Sequence, residues 1–106
     1  MLGNIFGNLE ERQEELKKKL ESIQLESSVM DGAIIVKANA KREILDILID
    51  SEKIDVNDNE QLQDLLVTAV NDVISMASEA ERNESEKLIS EIMPPGLGGL
   101  GNLFGK

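Results

Sequence analysis

Between Asn59 and Met93 the chain contains neither proline nor glycine, and its apolar residues return every three or four positions. Leu62, Leu65, Leu66, Ala69, Val70, Val73, Met76, Ala77 and Ala80 fall on one broad helical stripe. "ERNESEK" at 81–87 interrupts the stripe for two turns without a helix breaker. Leu88, Ile89, Ile92 and Met93 then restore an apolar patch, a candidate protein contact. Pro94 and Pro95 end the helix, because proline lacks the amide and clashes with the preceding turn. A continuous helix over this span is roughly 50 Å long at 1.5 Å per residue. A domain within 106 residues is too small to cover it, so part of the helix must project or pack against another chain. The segment before it, "DVNDNE" at 55–60, resembles the opening of a calcium loop, but Glu60 stands where glycine is needed and Leu66 where a bidentate glutamate is needed. Helix capping by Asn57 or Asp58, with Glu60 or Gln61 three residues on, explains it better.

Upstream, residues 1–8 are rich in Gly and Asn and read as a flexible arm. "LEERQEELKKKLESI" then places Leu9, Leu16, Leu20 and Ile23 on one stripe, predicting a first helix over about 8–22. The period shortens over 23–30, where Ile23, Leu25 and Val29 alternate with polar neighbours as in a half-buried strand. Asp31-Gly32 is a two-residue hairpin signal, since glycine accepts the positive φ such turns demand. "AIIVKAN" forms a second strand, "AKRE" a turn, and "ILDILID" at 44–50 a third, with Asp46 and Asp50 between apolar residues expected to be buried. The expected fold class is α/β (α+β): helix, three-stranded antiparallel meander, long C-terminal helix. Residues 9–93 form the single domain, and the Gly/Pro-rich residues 94–106 a second arm.

Eleven Lys and Arg face 21 Asp and Glu, a formal net charge of −10. Taken alone, that surface repels polyanions and argues against nucleic acid. Cysteine and histidine are absent, which removes disulfides, thiolate metal sites and the usual general bases. With no secretory signal and no long apolar run, a cytoplasmic protein is expected. The two ends match, "LGNIFGN" at 2–8 and "LGNLFGK" at 100–106, and hold both phenylalanines, Phe6 and Phe104. They read as two tails of similar composition. The sharper reading makes Leu2, Ile5 and Phe6, like Leu100, Leu103 and Phe104, short apolar hooks.

The order of these pieces resembles the YbaB/EbfC family of small bacterial nucleoid-associated proteins. The resemblance rests on the Gly/Asn-rich start, the charged helix, and "DGAIIVKANAKREILDILID" with Gly32, Val36, Asn39, Ile47 and Ile49 at recurrent positions. It extends through "LQDLLVTAVND" at 62–72 and the long helix ending in "MPPG". It implies a tight homodimer with helices projecting like the arms of a tweezer. It also implies double-stranded DNA as partner with little sequence preference, a role in nucleoid organisation or gene regulation, a nucleoid location, no enzymatic activity and no cofactor.

The candidate DNA contacts are Arg12, Lys17, Lys18 and Lys19 on the first helix and Lys41 and Arg42 in the turn between the second and third strands. The plainer reading of both sets is solvated surface, the first neutralised by Glu10, Glu11, Glu14 and Glu15. The helix at 59–93 carries Arg82 and Lys87 against eight acids, the wrong sign for phosphate tracking. With no aromatic platform for base stacking, any DNA contact is to the backbone and its shape. No catalytic, cofactor or metal residue stands out. The alternative function is an acidic protein–protein adaptor with the same fold and little DNA affinity.

Overall fold

The alternation that begins after Ile23 produces three strands, β1 Gln24–Val29, β2 Ile34–Asn39 and β3 Ile44–Ile49, set between two helices, α1 Leu2–Ser22 and α2 Asn59–Ile92. The structure, a computed structural model, describes the backbone of residues 2–92 and the side chains of residues 9–91. The sheet order is β1-β2-β3 with both pairs antiparallel, the α-β-β-β-α meander that the short loops predict. The C-terminal arm at 94–106, Met93 and the side chains of the proposed hooks lie outside the described residues.

Asp31-Gly32 closes the first hairpin. The Ala33 N–H donates to the Met30 carbonyl at 3.1 Å. The two residues between them have φ of 60° and 86°, the left-handed pair whose twist suits a two-residue hairpin. Met30 is also left-handed, at φ 53°, so regular pairing ends at Val29↔Ile34. Lys53 Nζ donates to the Asp31 carbonyl at 2.8 Å and ties the turn to the segment before α2.

The core forms where α2 crosses the sheet. Ala69 and Val73 lie against Ile34, Val36 and Ala38, all fully buried, and Ala77, one turn further along the same face of the helix, is fully buried too. Alanines let the helix approach closely. Ser27 Oγ on β1 donates to the Ala69 carbonyl at 2.6 Å, so the buried hydroxyl is satisfied.

One helix does not cover three strands. With a diameter of about 10 Å against strands about 4.8 Å apart, α2 lies over β1 and β2 and leaves β3 beyond its edge. Register pairs Ile49, Ile47 and Ile44 with Ile34, Val36 and Ala38, which puts them on the helix-facing side. Yet no residue of β3 is buried. The apolar residues of β3, expected to be buried from their alternation with Asp46 and Asp50, are instead 40–56% exposed. A register shift at Lys37/Ala38 leaves Leu45 without a partner in the ladder.

α2 starts at a side-chain cap. The Asp58 carboxylate accepts from the Gln61 N–H at 3.2 Å, and the Asp58 carbonyl accepts from Leu62 at 3.1 Å, as the capping pattern predicts. Asp58→Ala is expected to lower stability by about 1 kcal/mol, readable as a shift in the urea midpoint at unchanged slope. From there α2 is unbroken through "ERNESEK" to Ile92.

α1 begins at Leu2, six positions before the start read from periodicity, so the helical backbone includes residues 2–8. At its other end Ser22 Oγ donates to the Lys19 carbonyl at 2.7 Å. The Ala40 N–H donates to the Leu20 carbonyl at 3.0 Å, fixing the buried Leu20 to the β2–β3 turn. The outer half of α2 leaves the sheet and runs beside α1 as a two-helix arm, and the longest dimension reaches 63 Å.

Candidate nucleic-acid surface on the two-helix arm

Every cation that the sequence singles out sits on this arm or at its root. The root is the β2–β3 turn, organised by Asn39, a residue only 4% exposed. Asn39 Oδ1 accepts from the N–H groups of Lys41 at 2.9 Å and Glu43 at 3.2 Å, and its Nδ2 donates to Glu43 Oε1 at 2.6 Å. The Arg42 N–H donates to the Asn39 carbonyl at 3.1 Å and Arg42 itself is left-handed, at φ 64°. This is the three-residue hairpin loop that ends in a left-handed position, a place that favours glycine but here holds arginine.

Arg42 thereby faces α2. Its guanidinium pairs with Glu81 at 2.9 Å and donates to Ser78 Oγ at 3.5 Å. Further out, Lys19 pairs with Glu84 at 2.7 Å and Arg12 with Glu91 at 2.9 Å. Lys41 reaches Glu21 at 3.7 Å, and Lys87 shares Glu84 at 3.4 Å. Leu16 and Leu88 line the cleft of about 190 Å³ between the helices, with Arg12, Lys19, Glu84 and Lys87 beside them.

Of the six candidate cations, Arg12, Lys19, Lys41 and Arg42 are held by carboxylates, whereas Lys17 and Lys18 have no ion pair with a described residue. The apolar patch read from α2 divides. Leu88 turns into the cleft, Ile89 is 52% exposed, and the side chains of Ile92 and Met93 are outside the described residues. Glu81, Glu84 and Glu91 were not singled out by the sequence. Their shared helical face at positions i, i+3 and i+10 is the only signal that could have marked them.

Lys19 and Glu84 shift each other's titration. The hydrogen bond to Glu84, with its charge, raises Lys19 above its ordinary 10.5. The Lys19 hydrogen bond lowers Glu84 below its ordinary 4.5, against partial desolvation. A lowered carboxylate stabilises the fold above 4.5 and loses that effect as pH falls through its folded value, while a raised lysine loses its effect only as pH rises above 10.5. A melting difference between the wild type and Glu84→Gln is therefore expected at about pH 6 and should shrink by about pH 3.

Among the described residues no helix is long and apolar enough to cross a membrane, and no cluster of three or more His, Cys, Asp or Glu is placed to hold a metal ion.

Known proteins share this architecture and sequence. A nucleoid-associated protein of Clostridium novyi is 35% identical over 99 residues, covering 91% of this chain and 87% of its own. One from Thermodesulfovibrio yellowstonii is 37% identical over 109 residues, covering 100% and 96%. The crystal structure of the uncharacterized protein HP0035 from Helicobacter pylori superposes with a TM-score of 0.75 at 24% identity, over 83% of this chain and 92% of the other, which shows a common fold. The profile of the YbaB/EbfC DNA-binding family matches residues 1–92. Helix, meander and overlong second helix thus come with the sequence of a single family, and the chain belongs to the YbaB/EbfC DNA-binding family.

Proposed function

We propose that the chain is a nucleoid-associated DNA-binding protein that acts as a homodimer and contacts duplex DNA through its backbone and shape, with little sequence preference. The family match over residues 1–92 carries this reading, alongside relatives named as nucleoid-associated proteins. The role is nucleoid organisation or gene regulation, at the nucleoid, without catalysis. The bare β3 supports the dimer, because a second copy would cover the apolar residues that α2 leaves exposed. The contacts fall to Lys17 and Lys18, joined by Arg12, Lys19, Lys41 and Arg42. Few phosphates are neutralised, so the salt dependence is shallow.

Titration of a random-sequence duplex at about 50 mM and about 200 mM salt tests this. Salt-sensitive binding, weakened roughly tenfold at low salt by changing Lys17 and Lys18 to Gln, is the expected result. No binding at low salt would overturn it and favour the acidic adaptor, with Ile89 exposed in the patch read from α2.

A further inference from the structure

Three ion pairs run from α2 to other elements of the arm and its root, beside the Lys87–Glu84 and Arg82–Glu79 pairs within α2 itself. α2 supplies the acids Glu81, Glu84 and Glu91. The cations come from elsewhere: Arg42 from the β2–β3 turn, Lys19 and Arg12 from α1. Lys19 has Glu15 one turn away on its own helix, in the order that favours a local pair, and yet its ammonium sits 2.7 Å from Glu84 across the cleft. From Glu81 to Glu91 the row follows about 15 Å of helix axis, a length over which duplex DNA presents several phosphates at one charge per ~1.7 Å.

We infer that Glu81, Glu84 and Glu91 occupy, in the free chain, a row of phosphate-binding cations formed by Arg42, Lys19 and Arg12, so that DNA must displace the chain's own carboxylates to bind there. This rests on the DNA-binding reading above. Carboxylate and phosphate oxygens offer the same acceptors to a guanidinium or an ammonium, so one can replace the other. The exchange needs no unfolding, because Arg12, Lys19 and Arg42 keep 40%, 56% and 48% of their side-chain surface in solvent while paired. Exposed pairs of this kind are weak and screened by salt. Each nevertheless offsets part of what a phosphate contact contributes. A chain of net charge −10 can thus carry a cationic row that long-range repulsion and local pairing together keep closed.

The test compares two triple variants with the same charge change in the full chain. E81Q/E84Q/E91Q removes the three covering carboxylates. E52Q/E60Q/D64N removes three exposed acids that make no ion pair with a described residue. Each is titrated with a random-sequence duplex over a salt series, with circular dichroism to verify that both are folded. The covering triple is expected to tighten binding about tenfold or more at low salt, an advantage that shrinks as added salt screens the wild-type pairs. The control triple is expected to tighten it less than about threefold, with the slope unchanged.

Equal effects from the two triples would reduce the result to net charge and overturn the inference while leaving DNA binding intact. Absence of binding by the wild type and both triples would overturn the DNA reading and the inference with it. A second readout stays within the wild-type chain, in case the triple loosens the arm. On saturation with duplex, the Glu84 carboxyl carbon is expected to shift as its bond to Lys19 is lost, and an unchanged Glu84 signal in the complex would contradict displacement.

Discussion

Changing Ile47 and Ile49 together to aspartate is expected to weaken self-association at least ~100-fold, equivalent to about 2.8 kcal/mol at 1.4 kcal/mol per decade. Both residues pair with buried neighbours on β2, Ile47 with Val36 and Ile49 with Ile34, and both are 42% exposed in the single chain. Complete burial of a large aliphatic side chain is worth about 1.5–3 kcal/mol, so covering the exposed part of each contributes about 1 kcal/mol. Ile44, on the same face, adds a similar amount across a strand whose only charge is Asp46. Aspartates at 47 and 49 remove that gain and place unpaired charge where the second copy would sit. In the isolated chain they stay wet, so a folded, dissociated variant is the expected species. Sedimentation velocity reads the change directly, and a variant that self-associates as tightly as the wild type would count against β3 as the dimer surface.

Asn39→Ala is expected to cost about 1–2 kcal/mol, because it leaves two part-buried turn N–H groups without their acceptor. Those groups belong to Lys41 and Glu43, and Asn39 itself is 4% exposed. The loss goes beyond the turn. The same loop holds Arg42 left-handed and aims it at Glu81, while its Ala40 N–H anchors the end of α1 through the Leu20 carbonyl. Urea unfolding should show the lower midpoint, and amide exchange should show faster opening of the last turn of α1 than of the core strand β2. Asn39→Asp separates the roles. It keeps the acceptor for the two N–H groups, loses the donor to Glu43, and is expected to fall between Ala and the wild type.

These two residues also show where the sequence is legible. Asp31-Gly32 names its own turn, Asp58 its own cap, and Ile34, Val36 and Ala38 their shared face, because each depends on neighbours within a few positions. The unbroken α2 is legible from the absence of Pro and Gly over Asn59–Met93. The exposure of β3 is not. Alternation tells which side Ile47 takes, but not whether a helix lies above it, and that is decided by the width of α2 against three strands.

The start of α1 was hidden by Gly3 and Gly7, each costing a helix about 1 kcal/mol. Yet Leu2, Ile5, Phe6 and Leu9 keep the three- and four-residue spacing that runs on into Leu16 and Leu20. The site was legible only by half. Arg12, Lys17, Lys18, Lys19, Lys41 and Arg42 stand out as cations, and local spacing points to Glu14 and Glu15 as partners for Lys18 and Lys19. The partner that Lys19 takes, Glu84, lies on the other helix. The relative slide of α1 and α2 sets that choice, and it follows from where Leu20 and Ala40 lock together at the root of the arm.

The account depends on two copies meeting over β3. Sedimentation equilibrium at micromolar and submicromolar concentrations measures this without any variant. A species of twice the 11.7 kDa chain mass, dissociating only on strong dilution, is the predicted result. A well-folded single chain throughout that range would contradict it.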